Sequence, residues 1–171
     1  MWAKKLIKWY YKNKRDLPWR KNNYPYNIWL SEIILQQTTV SQGTPYYLKF
    51  IKKYPTIFDL SKASENEVLK IWQGLGYYTR AVNLLLTARY ISKYRNGIFP
   101  DKIDELKKLK GIGDYTASAI ASISYKVPTS VVDGNVYRLI SRFFGLFTPI
   151  NTAKAYKEFK KKADNLMRNY D

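Results

Sequence analysis

Leu109-Lys110-Gly111-Ile112-Gly113-Asp114-Tyr115-Thr116-Ala117 is the stretch whose reading decides the fold. It runs from a short helix ending near Leu109 into a second helix over Asp114–Tyr125, through a Gly-x-Gly turn. Glycines there permit unusual backbone angles and a close approach of another molecule. Backbone N–H groups at the start of the second helix can face a phosphate, aided by the helix dipole. Lys107, Lys108 and Lys110 add positive charge beside them. The same pattern also suits an ordinary αα-hairpin whose glycines only cap. Phosphate contacts of this kind position a protein without reading base sequence.

Outward from the hairpin the chain reads as helix after helix. Residues 2–13 carry apolar side chains at helical spacing, and residues 28–37 form a mostly apolar helix. A third helix runs from Tyr46 to about Lys53. Ser64-Glu65-Asn66-Glu67 has capping-box spacing ahead of Val68–Trp72, and Gly74 and Gly76 end that helix. Thr79 to about Tyr94 is closed by Asn96-Gly97. Asp101 or Asp104 caps the short helix before the hairpin. Asn135–Gly145 and Thr152–Asn169 complete the set. Alternating strand patterns are nearly absent, with Thr129–Val132 extended at most, so the class is all-α. The last helix is charged nearly all round, yet Ala155, Tyr156, Phe159, Ala163, Leu166 and Met167 mark one apolar face. That face is expected to lack a partner, and the chain is expected to be interrupted at its C-terminal end.

Composition narrows the chemistry. The 171 residues include neither cysteine nor histidine. That excludes disulfides, Cys/His zinc sites, thiolate nucleophiles and serine–histidine relays. Acid–base work falls to Asp, Glu, Lys or Tyr. Thirty Lys+Arg against 13 Asp+Glu give a formal charge of +17, which points to nucleic acid first and an acidic membrane surface second. Lys8 breaks the only apolar stretch near the start, and no segment approaches a membrane span, so the expected location is the cytoplasm.

Two carboxyls stand in unusual places. Glu32 lies inside the apolar helix, with Ile28, Trp29, Leu35 and Gln36 on its face and Leu30 and Ile34 opposite. Burial there would raise its pKa and keep its proton, making it a general acid at neutral pH. A structural ion pair with an arginine is the other reading of the same residue. Asp133, in Val131-Val132-Asp133-Gly134-Asn135-Val136, stands at or just before a helix start. It is either an ordinary N-cap or an ionised group facing a developing cation. An acid and an anion are the pair that glycosidic cleavage uses.

At this point the residues resemble a family: A/G-mismatch (MutY-type) adenine DNA glycosylases of the helix-hairpin-helix superfamily. The motifs are Leu17-Pro18-Trp19-Arg20, Trp29-Leu30-Ser31-Glu32-Ile33-Ile34-Leu35-Gln36-Gln37-Thr38, Gly74-Leu75-Gly76-Tyr77-Tyr78, the hairpin, and Val132-Asp133-Gly134-Asn135-Val136. They occur in family order across nearly the whole chain. The resemblance implies a base-excision-repair hydrolase that flips adenine out of a duplex opposite 8-oxoguanine or guanine and cleaves its N-glycosidic bond. It implies that Glu32 is the general acid and that Asp133 stabilises the sugar cation. Tyr115 would stand beside that cation, and Asn135 would orient the site. Arg15, Trp19, Arg20 and Leu35 would form the adenine pocket. Gln37, Thr38, Leu75 and Tyr77 would wedge into the duplex and meet the opposing guanine. Leu75 and Tyr77 also read as core residues after a helix cap. Lys110, Gly111 and Gly113 would grip phosphate, with a possible alkali cation on the hairpin backbone. The related endonuclease III type carries a lysine where this chain has Tyr115, and a phenol forms no Schiff base. A strand-cutting glycosylase is therefore the weaker alternative.

The implied architecture is one catalytic domain with the site in a cleft. A six-helix subdomain at about 21–128 faces a second made of 1–20 and 129–171. The implied partner is double-stranded DNA carrying the mismatch, met by a monomer in the nucleoid. The family also holds a [4Fe–4S] cluster on four cysteines. No residue of this chain can ligate it, so the chain is expected to be incomplete before that segment. A catalytically impaired DNA-binding remnant of the family is the remaining alternative.

Overall fold

Pro25 and the apolar run behind it create the element around which the larger part of the molecule is built. The computed structural model describes residues 2–168, and every regular element among them is helical. The elements are α1 (Trp2–Asn13), a 3-10 turn (Pro18–Arg20), α2 (Pro25–Leu35), α3 (Val40–Lys53), α4 (Ile57–Ser61) and α5 (Glu65–Trp72). They continue with α6 (Thr79–Arg95), α7 (Ile103–Leu106), α8 (Asp114–Tyr125), α9 (Gly134–Phe144) and α10 (Ala153–Arg168). The chain divides into two compact units, one of Leu17–Tyr125 and one of Met1–Asp16 with Lys126–Asp171.

In the larger unit α2 is the central rod. Residues Ile28 to Ile34 are all buried, and α3, α6, α8 and the 3-10 turn pack around the helix. A helix apolar on every side has nowhere to go but the interior. Gly43 lets α3 come close: a Cβ there would stand 2.8 Å from Leu35 Cδ2 and 3.3 Å from Ile34 Cγ2. Trp72, Phe50, Leu84, Leu85 and Leu60 fill the rest of this core. The capping box at Ser64 forms as its spacing predicts, with Ser64 accepting from Glu67 N–H and Glu67 accepting from Ser64 N–H at 2.9 Å. Helix α6 ends at Asn96 in the left-handed region (φ 48°), followed by Gly97.

In the smaller unit, α9 begins at its Asp133 N-cap and ends at Gly145 (φ 64°). Ile140 and Val132 pack on Ala155, Phe159 and Ala163 of α10, with Val136, Tyr137, Phe144 and Leu146 around them. Tyr137 and Phe159 meet with ring centroids 4.8 Å apart.

Several sequence expectations are corrected. Part of the apolar face of α10 has its partner in α9 and the segment before it: Ala155, Phe159 and Ala163 are buried there, Tyr156 and Leu166 are half-buried, and Met167 is exposed. Helix α3 starts at Val40, well before Tyr46, because Thr39 caps it by accepting from Gln42 N–H at 3.3 Å. Pro45 is tolerated inside it, although a proline removes one helical N–H. Helix α2 stops at Leu35, and Gln36 and Gln37 lie beyond it. Neither Asp101 nor Asp104 caps α7: its N-cap is Lys102, and Asp104 with Glu105 sits in the first turn, where negative charge meets the positive dipole end. The short α4 and the 3-10 turn were not foreseen, being too brief for periodicity to register. Residue 169, the expected end of the last helix, lies outside the described residues.

Truncating Phe159 to alanine removes the centre of the α9–α10 contact and is expected to destabilise that unit by about 3–5 kcal/mol. Ser64→Ala, which removes only a cap, is expected to lower stability by about 1 kcal/mol. Urea titration followed by circular dichroism checks both, and equal effects would refute this ranking.

Candidate active site

Glu32 is only 7% exposed, in the middle of α2. Arg20, at the end of the 3-10 turn, donates to its Oε1 from Nη2 at 3.4 Å, and Tyr115 at the start of α8 hydrogen-bonds the same carboxyl. Burial pushes the Glu32 carboxyl above the ordinary glutamate range; the Arg20 charge and the Tyr115 bond pull the other way without cancelling it. The arginine is about one-third exposed and its contact is long, so water screens the pair. Glu32 thus combines an arginine neighbour with a carboxyl that burial raises. Tyr115 is 41% exposed, so this carboxyl–phenol pair sits at the edge of the core with one side open to solvent.

In the smaller unit, Asp133 accepts from Val136 N–H at 2.8 Å through Oδ1 and from Asn135 Nδ2 at 3.0 Å through Oδ2. It is an N-cap whose second oxygen is held by a neighbouring amide. A carboxylate has about four lone-pair positions. Lone pairs on both oxygens therefore remain open to a further partner. The segment just before it is tied down by Lys160 of α10. Its ammonium donates to Thr129 Oγ1 and Ser130 O, both at 2.7 Å, and to Asp164 Oδ1 at 2.9 Å. Asp164 in turn accepts from Ser130 N–H at 2.9 Å. The i,i+4 pair with Asp164 is visible in the local sequence, but the bonds to Thr129 and Ser130, about thirty residues upstream, are not.

The remaining predicted residues fall as follows. Trp19 is fully buried and packs edge-on against Tyr47, ring centroids 5.3 Å apart, so its first role is to anchor the turn carrying Arg20. Leu35 is half-buried at the end of α2, whereas Arg15 is exposed and belongs to the smaller unit. Gln37 and Tyr77 are exposed, and both adopt left-handed backbone angles (φ 58° and 46°) that non-glycine residues seldom take. Thr38 is half-buried, its N–H bonded to Leu35 O at 3.2 Å. Leu75 is 7% exposed, while Tyr77 is 68% exposed. The turn between α5 and α6 thus buries one of the pair and projects the other.

At the hairpin, Gly111 takes φ 78°, which favours glycine, and a Cβ there would stand a tight 3.1 Å from Asn83 Cβ. Gly113 has an ordinary backbone and open space around it. Thr87 of α6 donates to Lys110 O at 2.9 Å, fixing the turn on the helix behind it. Lys107 is paired with Asp114, and Lys110 is exposed.

Residues 30–166 match the HhH-GPD superfamily of base excision DNA repair proteins, and the chain belongs to that family. Among curated relatives it is similar to the adenine DNA glycosylase of Buchnera aphidicola subsp. Acyrthosiphon pisum (43% identity over 154 residues), covering 90% of this chain and 44% of the relative. The human adenine DNA glycosylase is 43% identical over 146 residues, covering 80% of this chain and 27% of that protein. The chain thus spans less than half the length of these relatives. A solved thermostable thymine-DNA glycosylase superposes with a TM-score of 0.86 at 29% identity, covering 96% of this chain and 76% of the other. The all-α helix-hairpin-helix glycosylase fold that the motifs implied is therefore the fold of this chain. No described helix is long and apolar enough to cross a membrane.

The iron–sulfur cluster that the resemblance implies does not fit the residues present. The chain has no cysteine, and no group of three or more potential metal-ligating His, Cys, Asp or Glu side chains occurs among the described residues.

The raised Glu32 carboxyl has a consequence for stability. Folded protein holds this proton to higher pH than unfolded chain, whose glutamates titrate near about 4.3. Wild-type stability therefore falls as pH rises from the unfolded value through the folded one. Glu32→Gln lacks this loss. Its melting temperature is expected to gain on wild type between pH 4 and pH 8, and an unchanged difference across that range would contradict the burial argument.

Proposed function

We propose that the chain is a monofunctional DNA N-glycosylase that removes adenine mispaired with 8-oxoguanine or guanine. The observation that carries the reading is the buried Glu32, its carboxyl raised by burial, with the half-exposed Tyr115 beside it. In the proposed reaction, the adenine is flipped from the duplex and Glu32 delivers its proton to a ring nitrogen. The bond between C1′ and the purine nitrogen breaks, and its electron pair leaves with the base. The resulting sugar cation is stabilised by the Asp133 carboxylate and the Tyr115 oxygen, with Asn135 fixing the aspartate. Water then adds to C1′ and returns a proton, so the products are free adenine and an abasic site. General-acid assistance of this kind is worth roughly 10²–10⁴-fold.

Tyr115 also argues for base removal without efficient strand cutting. It offers no amine to attack the sugar, so no Schiff base forms there. Arg15, Trp19, Arg20 and Leu35 are proposed to line the adenine pocket, with Gln37, Thr38, Leu75 and Tyr77 at the duplex. Lys110 and the hairpin N–H groups would hold backbone phosphate, and the +17 charge suits that partner. An alkali cation on the hairpin carbonyls would have to share them. Leu109 O already accepts from Ile112 N–H, and Lys110 O accepts from Thr87. No step above uses such a cation.

The test is incubation with a duplex carrying adenine opposite 8-oxoguanine or guanine, followed by hot alkali. Strand cleavage after alkali, and little before it, is expected. A folded, duplex-binding sample that yields no cleavage would overturn the reading and leave a DNA-binding remnant. Glu32→Gln is expected to reduce release by about 10²-fold or more, with duplex affinity nearly unchanged. A borohydride-trapped adduct would instead indicate a lyase.

The rate should fall as pH rises through the elevated Glu32 value, since only the protonated carboxyl serves as acid. Arg20→Ala removes a charge that lowers that value. The basic limb of the pH–rate profile is expected to move to higher pH in this variant. A limb that stays in place, or moves down, would dissociate it from Glu32.

A further inference from the structure

One guanidinium grips two turns of the larger unit, the one after α2 and the one between α5 and α6. Arg80, in the first turn of α6, donates from Nη1 to Ile33 O and Ile34 O at 3.2 Å each and to Gln36 O. From Nη2 it donates to Leu75 O at 3.2 Å and Gly76 O at 3.3 Å. Its plane lies over Trp72 and Tyr77, 5.1 and 5.8 Å from the ring centroids. Helix α2 has no basic residue in its last turn, so the charge that its C-terminal carbonyls want comes from α6.

The choice of carbonyls is informative. Gln36 O directly precedes Gln37, and Gly76 O directly precedes Tyr77. These two are the exposed residues held in left-handed conformation at the ends of the two turns. Such backbone persists only where its surroundings over-determine it. Arg80 holds the peptide in front of each and thereby ties the two backbone positions to each other.

We propose that Arg80 is a positioning residue that locks Gln37 and Tyr77 into a rigid pair, which enters the duplex as one unit when a base is displaced. This rests on the glycosylase reading for its substrate, but base displacement can be measured separately from base release. A planar fork is needed because its two nitrogens serve two different turns. Lysine places a point charge there and cannot span both.

The test uses the full chain with a duplex carrying 2-aminopurine opposite 8-oxoguanine, whose fluorescence rises on unstacking. A parallel duplex carries adenine for release under single turnover. Arg80→Lys and Arg80→Gln are expected to remain folded and to bind undamaged duplex nearly as wild type does. Both are expected to lose about 10- to 100-fold in displacement and release, as a misplacement of about 1 Å would produce.

The decisive comparison is with Tyr77→Ala and Gln37→Ala. If Arg80 acts through the pair, adding Arg80→Lys to the Tyr77→Ala, Gln37→Ala double variant worsens displacement by no more than about twofold. Multiplicative losses would overturn the proposal, as would unfolding of both Arg80 variants, which would mark a residue of general stability. A wild-type chain that displaces 2-aminopurine without releasing adenine would refute the glycosylase reading and leave the Arg80 coupling measurable. A wild-type chain that displaces nothing would refute the inserted pair itself.

Discussion

Burial of α2 on every side is the constraint from which the rest follows. Ile28, Trp29, Leu30, Ile33 and Ile34 demand a dry interior, and four neighbouring elements supply it. A carboxyl in the middle of such a helix has few choices. It can ionise against a partner at a considerable desolvation cost, or it can keep its proton. Glu32 is pushed toward the second, its carboxyl raised by burial, while it holds an arginine at long range. A closer ion pair would favour the charged carboxylate and offset the effect of burial.

The same helix creates a second demand at its end. Its last carbonyls have no partners within the helix, and the turn after it runs through a left-handed residue. Arg80 answers this from a different helix and also takes the carbonyls of the α5–α6 turn. A requirement of helix termination is thus met by a group that joins two surface features. Lys160 plays a similar part in the smaller unit, tying the segment ahead of Asp133 to α10. In both places a single long cation converts loose backbone into a fixed platform, which is what preorganised catalysis requires.

The expectation about α10 failed for Ala155, Phe159 and Ala163, and for an instructive reason. Its apolar stripe was visible, but periodicity only says that a stripe must be covered. It does not say by what. Helix α9 carries the complementary stripe, and Phe159 sits between Tyr137, Ile140 and Val132. The late start predicted for α3 failed differently: the Thr39 cap starts the helix at Val40, Gly43 lets it pack on α2, and Pro45 is accommodated within it.

The sequence by itself determined the all-α class, most helix limits to within a few residues, the Gly-x-Gly hairpin and the identity of the family. Each of these is written in local spacing: caps, glycine stops, apolar periods and contiguous motifs. It also singled out Glu32, because a charged residue inside an apolar helix is visible without coordinates. Only the tertiary structure decided that the Glu32 carboxyl is raised, since that depends on how completely α3, α6 and α8 exclude water and on where Arg20 and Tyr115 come to rest. Only the tertiary structure revealed Arg80 and Lys160, whose partners are mostly distant backbone carbonyls and hydroxyls. Backbone carbonyls are the same at every position, so they leave no signature in a sequence; where they converge is decided by packing alone.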